Sequence, residues 1–244
     1  SVMIIIRFPD GASGQMLQNL SGKQKEIYDQ LDNSLTMFEY DTTFQLLFEI
    51  KLRENIIEAA LKLKDASVAF TSFKYSRFNP VYWTKGPRGY LLNPNVRPSD
   101  AINDIYENGQ EYAFECSTAM VVIFYKAVLD SIRLSDFNYL FTGLLVWNWN
   151  YDPDLAIITL EGNEFISGDV VYFMNPDFDK PIWRGENAVV LGNGLYYGHG
   201  IGIGTAEEMV KALNTLRKEG SITSAFMLQQ HSRLNFKYLS QFSK

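Results

Sequence analysis

Cysteine is almost missing from this sequence. Among 244 residues there is one, Cys116, alongside two histidines, His199 and His231. A single thiol excludes an internal disulfide and a zinc site built from the thiolates of one chain, so the fold must rest on packing. No basic stripe is present, and the net charge of −6 argues against a general nucleic-acid binder. Long apolar runs are missing too. The longest, Ala119 to Leu129, is interrupted by Lys126 and is too short to cross a bilayer, so no membrane partner is expected. There is no phosphate-binding glycine loop followed by Lys-Ser/Thr, no metalloprotease His-Glu pair and no calcium loop of alternating carboxylates. The stretches "GNGLYYGHGIGIG" and "DPD" have the wrong spacings for such sites and read as turns. No metal or cofactor is implied. The opening "SVMIII" lacks a basic leader and a cleavage region, which reads as no signal peptide and synthesis in the cytoplasm. Ser1 and Val2 read as additions ahead of a natural Met3.

What is present is the material of a large core. Hydrophobic residues make up 46% and charged residues 20%, which excludes a disordered chain. Aromatics reach 14%, enough to line a cleft as well as fill a core. No repeat or linker divides the chain, so residues 1–244 read as one domain. "TTFQLLFEIKLRENIIEAALKLK" predicts a helix. Thr42 and Gln45 have capping-box spacing, and Phe48, Leu52, Ile56 and Ala60 recur at helical intervals. "RPSDAINDIYENG" predicts a shorter one, with Ser99 as N-cap and Gly109 as stop. The run after Cys116 has no polar stripe, which marks a fully buried helix, although Val121, Val122 and Ile123 would also suit a strand.

The second half changes character. "LAIITL", "GDVVYFM", "NAVVLGNGLYYGHG" and "TSAFML" are short runs rich in β-branched and aromatic residues, with "GNG" marking a hairpin turn. "GTAEEMVKALNTLRKEG" predicts a helix between the last two, with a Thr205/Glu208 capping box and a stop at Gly220. Helices first and neighbouring strands later define an α+β class: an antiparallel sheet packed on a central helix.

Cys116 falls at or just before the start of the buried helix, where free N–H groups and the helix dipole favour a thiolate. The competing reading is a small buried hydrophobe, the common fate of a lone intracellular cysteine. A nucleophilic thiol needs a base. His199, in "YYGHGIGIG", reads either as that base or as a structural imidazole at a strand end. His231, in "QQHSRL", reads as a surface residue beyond the last strand. The remaining candidate is a carboxylate, Glu186, at the start of a strand beside Trp183, Arg184 and Gly185. In water a carboxylate is a poor base for a thiol. Enclosure by apolar walls would raise its pKa and bring the two groups closer, so a Cys–Glu pair sharing a proton becomes workable in a dry passage.

At this point the residues carry a resemblance. "ECSTAMVVIFYKAVL", "GDVVYF" and "WRGENAVVLGNGLYYGHGIGI" resemble the spore-coat transglutaminases of Bacillus and relatives, the protein-glutamine gamma-glutamyltransferases. "FEIKLRENI", "NPVYW", "ENGQEYAFEC" and "KALNTLRKEG" extend the likeness to most of the chain after about Phe38, leaving residues 1–37 as a variable N-terminal segment. The resemblance implies a fold related to papain-like cysteine peptidases. In those, the nucleophile begins a helix and a histidine begins the strand after a "GD-apolar-apolar" strand. Here Glu186 occupies that histidine position. The family's Cys–Glu pair carries over to Cys116 and Glu186, with Glu115 as a partly redundant partner.

The chemistry implied is acyl transfer without calcium. Cys116 attacks a protein glutamine, ammonia leaves, and a lysine amine takes the acyl group to give an ε-(γ-glutamyl)lysine crosslink. The resemblance further implies a hydrophobic substrate tunnel, mapped onto Trp149, Trp183 and His199, with Asn148 and Asn150 standing where relatives carry charged neighbours. Its partners would be spore-coat proteins supplying Gln and Lys. Its place would be the mother-cell cytoplasm and then the spore coat, and it would act as a monomer. Two alternatives share the fold: a papain-like cysteine hydrolase that hands the acyl group to water, and a non-enzymatic coat component. Glutamate in the histidine position counts against a peptidase, because no imidazolium is available to protonate a leaving amine.

Overall fold

A computed structural model describes residues 3–244; Ser1 and Val2, and the reading made of them, lie outside the described residues. The chain begins with a strand, β1 (Ile4–Phe8), and a short helix, α1 (Gly11–Gln18), whose first turn is capped by the Asp10 carboxylate accepting from the Ala12 N–H. A second helix, α2 (Gly22–Asp32), buries Ile27 and Leu31. β2 (Phe38–Thr42) then runs parallel to β1, with Ile4 opposite Phe38. The N-terminal segment read as variable is therefore tied into the body of the fold, and Ile4, Ile27 and Leu31 join the main hydrophobic core.

α3 (Thr43–Lys64) forms as its periodicity predicts, and Phe48, Leu52, Ile56 and Ala60 are all buried. Thr42 Oγ1 accepts from the Gln45 N–H, while the Gln45 side chain takes the N–H of Asp41 rather than that of Thr42, a capping box slipped by one residue. β3 (Ala69–Phe70), β4 (Trp83–Gly86) and β5 (Gly89–Leu92) come next. α4 (Pro98–Glu107) departs from expectation at both ends. Arg97 is its N-cap and Pro98 opens it, which suits a residue with no N–H to leave unpaired. Ser99 is buried inside, its N–H donating to Asn138. The helix stops at Asn108, and Gly109 begins a separate 3-10 turn.

β6 (Ala113–Phe114) pairs in parallel with β3 and delivers the chain to α5 (Cys116–Ser131). Every residue of α5 is buried except Lys126 and Asp130, which pair with each other. Helix wins over strand because the segment fits between α3 on one side and the main sheet on the other, with apolar contact all round. α6 (Leu134–Leu140) and β7 (Leu145–Val146) complete this half, β7 joining β4 and β5 in a three-stranded sheet.

The main sheet is built from β8 (Ile157–Glu161), β9 (Val170–Met174), β10 (Gly185–Gly192), β11 (Leu195–Gly198), β12 (Gly202–Thr205) and β13 (Phe226–Leu234). Its order is β12-β11-β10-β9-β13-β8, antiparallel throughout. Asn193 and Gly194, at φ 54° and 72°, make the two-residue turn between β10 and β11, the left-handed pair that a tight hairpin requires. α7 (Ala206–Asn214) begins with the expected Thr205/Glu208 capping box but ends before Thr215, short of Gly220. α8 (Phe236–Ser240) closes the chain. β13 runs well past the predicted "TSAFML", which moves His231 from the expected surface loop into a strand, where it is buried with its Nδ1 against the Gly162 carbonyl at 3.1 Å.

Candidate active site

The site is set by a gap in the sheet. β10 pairs with β9 from Gly185 to Val189, but with β11 only from Val189 onward. Between Gly185 and Asn187 the other edge of β10 has no strand beside it, and the first residue of α5 sits there. The Sγ of Cys116 lies 4.0 Å from the Gly185 carbonyl, and the Asn187 side chain donates to it from 3.6 Å. The Asn187 backbone N–H also reaches the sulfur. The thiol occupies the place where a ladder partner would have been.

Glu186, between those two residues, turns the opposite way from Asn187 along the strand and is fully buried. Neither carboxyl oxygen has a close hydrogen-bond partner. A Cβ on Gly198 would stand 2.8 Å from Glu186 Cγ and 3.0 Å from Cδ, so the bare backbone of β11 makes room for this carboxyl group. Burial pushes the Glu186 pKa well above the usual carboxylate range, and the Cys116 thiol offsets part of that rise. Cys116 is shifted upward as well, by burial first and then by the Glu186 charge. The two Asn187 N–H groups pull against the rise, and Glu115 adds to it. The helix start was expected to favour the thiolate; here burial outweighs it and the net direction is up.

Glu115 is the N-cap residue of α5 and is half-buried. Its carboxylate does not cap the helix but accepts from the Ser117 hydroxyl at 2.9 Å. The first intrahelical bond runs from the Ala119 N–H to the Glu115 carbonyl, which leaves the amides of the first turn without intrahelical acceptors. Thr118 holds the following loop to this turn by accepting from the Asn148 N–H at 2.7 Å.

A cavity of about 670 Å3 opens onto Cys116 and is walled by Glu115, Asn148, Trp149, Tyr172, Asn187 and His231, among others. Trp149 thus stands on the cavity, 36% exposed at its rim. Trp183 and His199 do not line it. They gather round Phe70, with ring centroids 4.7 Å and 5.6 Å from it. His199 Nε2 lies 3.2 Å from the Ala69 carbonyl. Burial lowers the His199 pKa, and contacts with the Ala69 and Phe114 carbonyls oppose that, so the ring reads as a fastener between β11 and β3. The structure brings Cys116, Glu186 and Glu115 together, with Trp149 facing the same space. It adds Asn187, Tyr172 and Gly198, which sequence reasoning missed. The one available signal was a polar Asn187 directly before an apolar run. Among the described residues, no group of three or more His, Cys, Asp or Glu is placed to hold a metal ion.

A papain-like α+β fold, with a thiol at the head of a buried helix and an acid at the head of the facing strand, defines the class as acyl-transfer proteins built on this fold. Within it, the family described as protein-glutamine gamma-glutamyltransferase matches residues 3–243, and the chain belongs to that family. Similar proteins carry the same description. That of Halalkalibacterium halodurans is 43% identical over 215 residues, covering 87% of this chain and 76% of its own. That of Bacillus pumilus is 43% identical over 239 residues, covering 94% and 97%. A solved transglutaminase from Geobacillus stearothermophilus, without its C-terminal extension, is 50% identical and superposes with a TM-score of 0.80, covering 82% of this chain and 98% of that one. The protein is a crosslinking acyltransferase acting on protein substrates, and no helix among its described residues is long and apolar enough to cross a membrane.

Proposed function

We propose that the crosslink is made through a thioester on Cys116, with Glu186 as the proton carrier. Cys116 Sγ bonds to the carbonyl carbon of a glutamine carboxamide while its proton passes to Glu186. The proton then goes to the departing nitrogen, and ammonia leaves. A lysine amine attacks the thioester, gives up a proton to Glu186, and the thiol is restored. Glu115 is a secondary acid at the cavity side, able to take a share of this traffic. The observation that supports the pair is that both groups are buried, each with its pKa raised by that burial, and that each acts on the titration of the other, as two groups trading one proton must.

Transfer to an amine must outrun transfer to water, and exclusion of water favours it. Cys116 is only 7% exposed, Trp149 lines the cavity, and Phe70, Trp183 and His199 pack together just past Gly198, the residue that meets Glu186. This reaction draws only on side chains of this chain, so it is expected to proceed without calcium. We place the enzyme in the spore coat, acting as a monomer on coat proteins that supply Gln and Lys, after synthesis in the cytoplasm of the sporulating mother cell. The test is incorporation of a labelled primary amine into a glutamine-rich protein with chelator present. Label that persists in chelator and vanishes in Cys116→Ala supports the reading. Activity retained by Cys116→Ala contradicts it, and ammonia released without label points to a hydrolase.

A further inference from the structure

We propose that the side-chain amide of Asn187 is a catalytic hydrogen-bond donor, holding the charge that first sits on Cys116 sulfur and then moves to the substrate's carbonyl oxygen. The inference rests on Cys116 as nucleophile. Its own ground is geometric. Asn187 is 7% exposed, lies on the wall of the cavity that opens onto the thiol, and points Nδ2 at Sγ from 3.6 Å. A buried amide is costly unless its N–H groups are used. Here the sulfur is the acceptor that the Asn187 side-chain N–H finds. Its orientation follows from the sheet. Asn187 sits opposite Tyr172 in the β9–β10 register, both toward the cavity, while Glu186 turns to the other face. Consecutive residues of one strand thus divide the work: Glu186 carries the proton and Asn187 the negative charge.

When Sγ bonds to the carboxamide carbon, the π electron pair of the C=O moves to oxygen. That oxygen is one bond further from the sulfur, within the arc that Nδ2 can sweep. The first-turn amides of α5, which have no intrahelical acceptor, begin at Cys116 itself. When the C–N bond breaks, the pair returns and the C=O reforms. A donor used in this way stabilises the transition state more than the bound substrate. It also steadies the thiolate, in line with the downward pull of Asn187 on the thiol.

The experiment replaces Asn187 with Leu, which keeps the shape and removes the donor. Amine incorporation and alkylation of Cys116 by iodoacetamide across pH are measured in wild type, Asn187→Leu and Cys116→Ala. The expected result is a loss in kcat of about 10²-fold with KM within about twofold, together with a shift of the alkylation profile to higher pH. Asn187→Gln, which keeps a donor on a longer arm, recovers part of the rate. A merely structural residue would alter melting or KM and leave the alkylation profile in place, and that pattern overturns the proposal. If Asn187→Leu fails to fold, an Asn187→Gln enzyme that folds but recovers neither rate nor profile overturns it equally. Loss of activity in Cys116→Ala with full kcat in Asn187→Leu would remove Asn187 alone, whereas an active Cys116→Ala would remove the underlying reading.

Discussion

Among the described residues two carboxylates are fully buried, Asp169 and Glu186, one just ahead of β9 and the other at the start of β10. Their surroundings are opposite. Asp169 accepts from Arg53 Nη1 at 2.9 Å, from Arg233 Nε at 3.0 Å and Nη2 at 2.6 Å, and from the Ile166 N–H at 2.9 Å. Burial pushes its pKa up, but the two guanidinium groups outweigh burial and hold it below the usual carboxylate range. Arg53 also pairs with Glu49, so α3, β9 and β13 are joined at one point. Glu186 has no cation and no hydrogen bond, and the only influence opposing its burial is the Cys116 thiol. The first carboxylate is satisfied and fixes the fold. The second is left without a counter-charge and holds its proton, as suits the proton-carrying role proposed for it.

The sharpest way to break the comparison is Asp169→Asn. It leaves Arg233 without its anion and Arg53, fully buried, with Glu49 alone, at a cost of about 3–5 kcal/mol. Chemical denaturation should show this loss. The sign in pH follows from the lowered pKa: the contribution of Asp169 is present above its unfolded value and is lost as pH falls through the folded one.

Glu186→Gln should do the reverse. Its amine incorporation falls by about 10²- to 10⁴-fold, the range for loss of a positioned acid–base, and by more than in Glu115→Gln. Its stability does not fall. Folded Glu186 keeps its proton to higher pH than the unfolded chain does, so wild type loses stability as pH climbs from the ordinary carboxylate range through the raised value. The Gln variant lacks that slope, and its relative stability should grow with pH in denaturation curves. Equal activity losses for the two glutamates would mean that they share the role.

A smaller effect is expected from Gly198→Ala. Its methyl group would stand 2.8 Å from Glu186 Cγ, so the carboxyl must shift. We expect about a tenfold fall in kcat, since a displacement of this order far from the substrate still misaligns proton transfer, with little change in melting. A fully active Gly198→Ala would show that Glu186 tolerates displacement and weaken its assignment.

Much of this was legible in the sequence where local chemistry decides. The Thr205/Glu208 box, the Asn193-Gly194 turn and the all-round apolar α5 each announce themselves within a few residues. Errors came where tertiary context takes over. β13 continues through "QQHSRL" because it pairs with β8 on one side and β9 on the other, although its polar side chains spoil the apolar pattern that marks a strand. Ser99 looked like a cap, but Pro98 opens the helix and Ser99 is claimed by Asn138. Cys116 and Glu186 were nameable from their place at the heads of a helix and a strand. Asn187 was not, because its role depends on β11 leaving β10 before that residue, a feature of the assembled sheet. Likewise "GDVVYF" marked a strand but gave no sign that its Asp169 meets two arginines from distant segments.

The measurement that bears most directly on a shared proton at Cys116 is the rate of its alkylation against pH in wild type and Glu186→Gln. Two coupled groups lose their protons in two macroscopic steps that belong to the pair. Wild type should therefore show two steps in reactivity, both displaced upward from the ordinary carboxylate and thiol ranges in turn. Glu186→Gln should show one. Superimposable profiles in the two proteins would contradict the account, because the thiol would then titrate without reference to the carboxyl group beside it.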